Sequence, residues 1–244
     1  MADILDRESS VPLYQQLEDI LYAKIDSGEW APSQRIPSEN ELNKIYGLSR
    51  MTVRGVLNKL TSEGLLLRVP GKGTYVAPRK ISATSPAYRG VREQLESLGF
   101  ATTTALLSHD LKPPSSSVRS RLRLAPDELV YAIVRLRSVD GEPISLHRSY
   151  VPGRLAPNLD DHDVVNEQLC VVLKEHYGLP MSKVEEHLEA VTPTAGDAQL
   201  LDIQPSEPVL RLSDVIRDQN ENPFEYSTII FRGDKLQLRF DYEL

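Results

Sequence analysis

Residues 46–60, "YGLSRMTVRGVLNKL", carry two faces. Val53, Val56, Leu57 and Leu60 recur at helical spacing, and about 3.6 residues per turn gathers them into one apolar stripe. Ser49 suits the N-cap, because its hydroxyl accepts a hydrogen bond from a first-turn amide, and Gly47 suits the close of a preceding helix. Opposite the stripe lie Met51, Gly55 and Asn58, flanked by Arg50 and Arg54. A mid-helix glycine costs about 0.5–1 kcal/mol relative to alanine, so Gly55 points to close approach by a partner. A solvated basic face with an incidental glycine is the other reading of the same residues.

Upstream, "IPSENEL" (36–42) offers Ser38 as N-cap with Glu41 three residues on, the reciprocal pairing of a capping box. A helix to Tyr46, a turn at Gly47-Leu48 and a second helix from Arg50 to about Thr61 make a helix-turn-helix, its second helix sized for a DNA major groove. Downstream, "LLLRVPGKGTYVA" (65–77) sets two β-prone runs around Pro70-Gly71-Lys72-Gly73, the chemistry of a hairpin wing. The lysine at this tip is not that of a P-loop, because Gly73 stands where that pattern needs Ser or Thr and no helix follows. A supporting helix is predicted over residues 12–27, with Leu13, Leu17, Ile20, Leu21 and Ile25 in register and Gly28 as its stop.

Charge agrees with this placement. The 244-residue chain has a net charge of -7, yet from Arg35 to Lys80 nine Lys and Arg face three Asp and Glu, a local balance of +6. Such a patch neutralises phosphates and supplies most non-specific DNA affinity, while an acidic remainder limits indiscriminate binding. A single cysteine, Cys170, excludes an intramolecular disulfide framework. With no signal peptide and no apolar run of about 18 residues, the expected place is the reducing cytoplasm, without a membrane role.

The mixed segment "APRKISATSP" (77–86) reads as a linker between a first domain over 10–77 and a second over 87–244, with 78–86 as the linker proper. Beyond it the pattern predicts a helix ending at Gly99, a strand over 101–112 and a long hairpin over 129–151 turning at Asp140-Gly141. There follow a helix closed by Gly178, an edge-type strand over 183–191, a short helix over 194–203 and about three strands over 208–244. Mostly antiparallel sheet with helices packed on it is an α+β class.

Alternation puts Arg135 and Arg137 on one face of the hairpin, with His147 near them on the returning strand. One reading is a clamp for a phosphate or carboxylate, since guanidinium offers bidentate donors. The other is a solvated outward face, the arginines paired with Glu142 or Glu186. Glu225, after Pro223-Phe224, is either an acceptor for a polyol or amine or a surface carboxylate. If His147 flanks a bound anion, its protonation near the ordinary value of about 6.5 adds a positive charge in acid. No catalytic constellation stands out. The five histidines show no metal-ligand spacing, Cys170 lies in the helical run "LCVVL", no cofactor motif occurs, and neither G-x-S-x-G nor H-E-x-x-H is present.

The run "SGEWAPSQRIPSENELNKIYGLSRMTVRGVLNKLTSEGLLLRVPGKGTYVA" (27–77) resembles the winged helix-turn-helix of GntR-type bacterial transcription regulators. "VRLRSVDGEPISLHRSYVP" (134–152) and "NPFEYSTIIFRGD" (222–234) resemble the UTRA ligand-binding domain of the HutC-like subfamily, which has a chorismate-lyase-like fold. The resemblance implies a homodimeric regulator, most often a repressor, on two-fold double-stranded operator DNA, released when a small anionic effector such as a sugar phosphate or carboxylate binds. It implies DNA contacts from Arg35, Ser38, Asn40, Ser49, Arg50, Thr52 and Arg54, and from Gly71, Lys72 and Gly73 in the wing. Asn40 stands where the family often has Arg. It implies an effector pocket drawing on Arg92, Arg135, Arg137, His147, Cys170, Glu225 and Phe231. Sugar-phosphate-sensing members often have Glu at the position of His147, Tyr near Cys170 and Tyr at Phe231, so this chain departs from that pattern. A lyase-type enzyme carrying a DNA-binding domain is the rival reading.

Overall fold

A computed structural model describes residues 4–78, 80–84 and 90–240. The chain divides into two compact units, Met1–Arg79 and Lys80–Leu244. In the first, α1 (Leu13–Asp26), α2 (Glu39–Tyr46) and α3 (Arg50–Ser62) precede the wing strands β1 (Leu66–Val69) and β2 (Gly73–Val76). The local signals explain the elements. Ser38 Oγ accepts from the Glu41 amide at 3.3 Å while Glu41 Oε2 accepts from the Ser38 amide at 2.8 Å, which starts α2. Gly47, at φ 63°, ends it in the left-handed conformation. Ser49 Oγ accepts from the Thr52 amide at 3.1 Å and starts α3. Leu17, Leu21, Leu42, Val53, Val56, Leu57 and Leu60 then close one apolar core shared by α1, α2 and α3.

The second unit is built on six antiparallel strands in the order β4-β5-β6-β9-β8-β7. These are β4 (Thr102–Lys112), β5 (Val130–Val139), β6 (Glu142–Pro152), β7 (Lys183–Val191), β8 (Val209–Arg217) and β9 (Pro223–Arg232). The tight turn at Asp140-Gly141, both at positive φ, makes β5 and β6 neighbours. β6 then pairs with β9, far along the chain, so the centre of the sheet is assembled from distant segments. One face carries α4 (Val91–Ser97) and α6 (Leu169–Tyr177), and the other carries α5 (Ser116–Leu122) and α7 (Ala195–Leu200).

The linker expectation for 78–86 is corrected. Ile81–Ala83 forms β3, paired in parallel with β10 (Leu236–Leu238). Ile81 packs against and Ala83 lies within the apolar cluster that also holds Val91, Leu95 and Phe231, so these residues belong to the second unit's core. Composition alone does not reveal a strand whose partner is about 150 residues away. Arg79, Ser85 and Pro86 of that segment lie outside the described residues. The sequence pattern also passed over α5, whose seven residues are capped by Ser115 and held by burial of Val118 and Leu122. So short a helix is stable only through tertiary packing.

Candidate functional site

Two sites emerge, one in each unit. In the first, a cleft of about 740 Å³ between α2, α3 and the wing is lined by Arg35, Ser38, Glu39, Asn40, Arg50, Arg54, Arg68, Gly71, Lys72 and Gly73 among others. It gathers every expected DNA-contacting residue except Ser49 and Thr52. Those two lie on the first turn of α3, their hydroxyls 2.8 Å apart, with Ser49 engaged as the cap. Gly73, at φ 125°, lets the Arg35 guanidinium pack against the wing tip, because a Cβ there would stand 2.9 Å from Arg35 Nε. Gly55 faces open space, with nothing within 4 Å of where its Cβ would be, and Met51 beside it is 74% exposed. Packing inside this unit therefore does not call for a glycine at position 55.

Glu39 and Arg68 were missing from the sequence reading. Glu39 accepts from Arg54 Nε at 3.0 Å and Nη2 at 2.9 Å, and from Arg68 Nη2 at 3.3 Å. The capping box draws attention to Glu41, three residues after the cap, whereas an acid at the first helical position is ordinary helix-dipole chemistry and marks no longer-range partner.

In the second unit a cavity of about 80 Å³ opens on the α4 and α6 face of the sheet. β5 contributes Arg135 and Arg137, β6 His147 and Ser149, β8 Asp214 and Ile216, and β9 Glu225, Ser227 and Ile229. Val91 from α4 and Gln168, Leu169 and Cys170 from the start of α6 close it. Among the described residues eleven polar or charged side chains are buried, and eight of them lie on this face of these four strands: the seven polar ones just named from the strands and Ser145. Apolar clusters flank the polar island at both ends of the strands. Polar groups in such a place cost free energy unless they find partners or serve a ligand.

The outward-face reading of the arginines is overturned, because Arg135 and Arg137 are only 4% and 9% exposed. Arg135 donates to the Val164 carbonyl and to Ser149 Oγ, each at 3.1 Å. The Nε atoms of both arginines are buried without a hydrogen-bond partner. Burial pushes the Arg137 guanidinium down to about 9, helped by repulsion from Arg135 and Arg92, which leaves it cationic at neutral pH. Glu225 is no surface carboxylate: burial, then repulsion from Asp214, raises it to about 7 despite the opposing pull of Arg135. Burial likewise raises Asp214 to about 6, with the Ser227 hydroxyl donating to it.

His147 lies opposite Arg135 on the neighbouring strand, as the spacing predicts. Its expected role as a switch near pH 6.5 is corrected. Burial and the charges of Arg137 and Arg135 hold it well below that value, so the ring stays neutral, with Nε2 at 2.9 Å from Ser145 Oγ. Cys170 lines the cavity half-buried, its thiol raised mainly by burial and its Sγ donating to Gln168 Oε1 at 3.5 Å. Two expected pocket residues stand behind the lining. Phe231 is fully buried and presents an edge to His147 at 6.2 Å. Arg92 donates to the Val165 and Asn166 carbonyls at 2.9 and 2.5 Å, tying α4 to the chain before α6. Ser149, Asp214, Ser227 and Gln168 were not singled out from sequence. The signal for most of them was there: Ser145, His147 and Ser149, and again Glu225 and Ser227, are polar residues at period two inside strands otherwise buried.

No helix among the described residues is long and apolar enough to cross a membrane, and no group of His, Cys, Asp and Glu there is arranged to hold a metal ion. Residues 13–76 match the bacterial regulatory proteins of the gntR family, and residues 97–237 match the UTRA domain. The chain is 29% identical over 231 residues to the HTH-type transcriptional repressor NagR of Bacillus subtilis, covering 95% of each chain. It is 27% identical over 203 residues to a histidine utilization repressor of Pseudomonas putida, covering 83% of this chain and 81% of that one. Among solved structures it shares the fold of PhnF from Mycobacterium smegmatis, with TM-score 0.64 at 21% identity over 93% of this chain and 98% of that chain. The relatives are transcription regulators, which sets aside the enzyme reading. With a winged helix-turn-helix head and a UTRA domain that alone spans more than half its length, the chain belongs to the GntR family of bacterial regulators, in its HutC-like branch.

Proposed function

We propose that the protein is a repressor that grips a two-fold operator as a homodimer and is released when a small anionic metabolite enters the cavity of the second unit. The observation that carries the effector class is the pair Arg135 and Arg137, adjacent on one strand face, buried, and each with an unpartnered Nε. An anion accepting from both guanidiniums would supply the missing partners and screen their mutual repulsion. The repressor sense is supported by the relatives, among them a probable fructoselysine utilization operon repressor of Escherichia coli, 26% identical over 236 residues. A dimer matches the symmetry of two-fold operators, whose half-sites lie about 34 Å apart or at a related spacing. The residues expected to touch DNA are Arg35, Asn40, Arg50, Arg54 and Lys72, all of which line the cleft.

Induction then requires that the effector favour one arrangement of the two heads, and it shifts the population only by its differential affinity for the two states. The test titrates full-length protein and its Arg137→Ala variant with phosphorylated and carboxylated metabolites while operator binding is followed in parallel. The expected variant holds the operator but no longer releases it. An unchanged effector response in the variant overturns the assignment, and a monomer in sedimentation that footprints a single half-site overturns the dimer.

A further inference from the structure

Asp214 and Glu225 sit on neighbouring strands of the polar island, 4% and 5% exposed, and both line the same cavity as the two arginines. Buried carboxyls beside buried guanidiniums are ordinarily read as counter-ions, and Arg135 and Glu225 do attract one another, yet the hydrogen bonds of Arg135 go to neutral groups. The Arg135 Nη atoms are spent on the Val164 carbonyl and on Ser149 Oγ rather than on a carboxylate. Its Nε and that of Arg137 have no partner. Burial holds both carboxyls above their ordinary values and outweighs the partners they have: Asp214 adds to the rise of Glu225 against the lowering pull of Arg135, and Glu186 adds to the rise of Asp214 against the lowering hydrogen bond from Ser227. The donors that do reach them are hydroxyls, Ser227 on Asp214 and Ser149 on Glu225.

Register separates the two charges across the cavity. Arg135 stands opposite His147 on β6, whereas Ser149, Ser227 and Asp214 form one cross-strand row ending on β8, three strands away from β5. Positive charge is therefore concentrated toward β5 and negative charge toward β8 and β9, with neutral His147 and the serines between. We propose that the effector is bipolar: a small molecule whose anionic group is held by Arg135 and Arg137 and whose protonated amine is held by Asp214 and Glu225. The inference rests on the anion seat proposed above and adds a cation seat to it. An ammonium group supplies donors to both carboxyls and removes their mutual repulsion, which a hydroxyl or a methyl group does not. With a volume of about 80 Å³, the cavity favours a compact molecule over a long one.

Matched ligand pairs that differ only in the amine test this on the full-length protein by calorimetry at neutral pH: aminoethyl phosphate against ethyl phosphate, and β-alanine against propionate. In at least one pair the amine-bearing member is expected to bind about tenfold or more tighter, the scale of hydrogen bonds to a charged group. Asp214→Asn should bring the two members of that pair together, and Arg137→Ala should weaken both. Equal affinities within each pair, lost together in Arg137→Ala, leave the anion seat standing and overturn the bipolar ligand. Amine-bearing members that bind as well to Arg137→Ala as to the parent overturn the anion seat, as does a failure of all four compounds to bind. The comparison within a pair needs no variant, so poor folding of Asp214→Asn leaves the decision intact.

Discussion

Glu39 holds Arg54 across the angle between α2 and α3, accepting from Nε at 3.0 Å and Nη2 at 2.9 Å on one carboxylate oxygen and from Nε again at 3.3 Å on the other. The carboxylate raises the Arg54 guanidinium's affinity for its proton and fixes the plane of its donors. Arg68 of the wing reaches the other oxygen at 3.3 Å, so one acid joins the reading helix to the wing. A guanidinium oriented in advance loses less freedom when it meets a base edge, and an acid beside phosphates discourages binding elsewhere. Glu39→Gln is therefore expected to bind random duplex more tightly and to discriminate operator from random sequence several-fold less. Competition on the two duplexes checks it, and an unchanged ratio would falsify the positioning role. Thermal stability should hardly move, because Arg54 is exposed and Glu39 only partly covered, so solvent screens the pair.

Gly55 lies mid-helix on the exposed face of α3 with open space around it. Gly55→Ala should stabilise the free protein by about 0.5–1 kcal/mol through helix propensity alone. If DNA approaches this face closely, the same change weakens operator binding, and Gly55→Leu abolishes it while the protein stays folded. Denaturant unfolding and operator titration on the same samples separate the two effects. Tight binding by Gly55→Leu would place the groove on another face of the helix.

Lys72 projects from the wing tip, exposed and lining the cleft. Lys72→Ala is expected to weaken operator and random duplex alike and to flatten the slope of log K against log salt by about one unit, the signature of one lost phosphate contact. A loss confined to the operator sequence would make Lys72 a base reader instead.

The buried arginines should cost stability when no ligand is present. Arg137 is desolvated, repelled by Arg135 and Arg92, and its Nε lacks a partner. Arg137→Met keeps the length of the side chain and removes the charge, so the ligand-free protein is expected to gain about 1–2 kcal/mol in unfolding free energy. The same protein should no longer respond to effector. A destabilised Arg137→Met would mean that the guanidinium is satisfied within the fold.

The carboxyl pair predicts a pH dependence whose sign follows from the raised values. Between the unfolded value near 4.5 and the folded value of about 7, Glu225 keeps its proton only in the folded state, so stability falls as pH rises through that interval and levels off above it. Asp214, raised to about 6, adds to the fall, and the two titrate as a coupled pair facing Arg135, Ser149 and Ser227, with Glu186 beside Asp214 and Cys170 beside Glu225. His147, held below 6.5, acts oppositely, since below that value only the unfolded chain takes its proton. Comparison with Glu225→Gln isolates the acid. The advantage of the variant should be small near pH 5, grow toward about pH 7 to the order of a few kcal/mol, and then plateau. A pH-independent difference would show that Glu225 is ionised throughout.

The reading head was legible because its information is local. A capping box spans three residues, a stripe repeats every three or four, and a left-handed glycine closes a helix at its own position. Each signal and its partner lie within one or two turns, so sequence alone placed the helices, the wing and the basic surface between them. Glu39 escaped because its partners, Arg54 and Arg68, come from α3 and β1, and nothing local marks an acid for a bridge of that length. In the second unit, alternation put Arg135 and Arg137 on one face and the hairpin turn put His147 opposite, but periodicity is silent on which face is covered. That was decided by α4 and α6 packing on one side and by β6 pairing with β9, which carried Glu225, Ser227 and Asp214 under the same roof. Burial then set the chemistry. The same imidazole that titrates near 6.5 in water stays neutral between two desolvated guanidiniums, and the same carboxyl that ionises near 4.5 holds its proton to about 7. Residue type determines which proton is carried, and only the assembled sheet, by excluding water and bringing distant charges together, determines when it leaves.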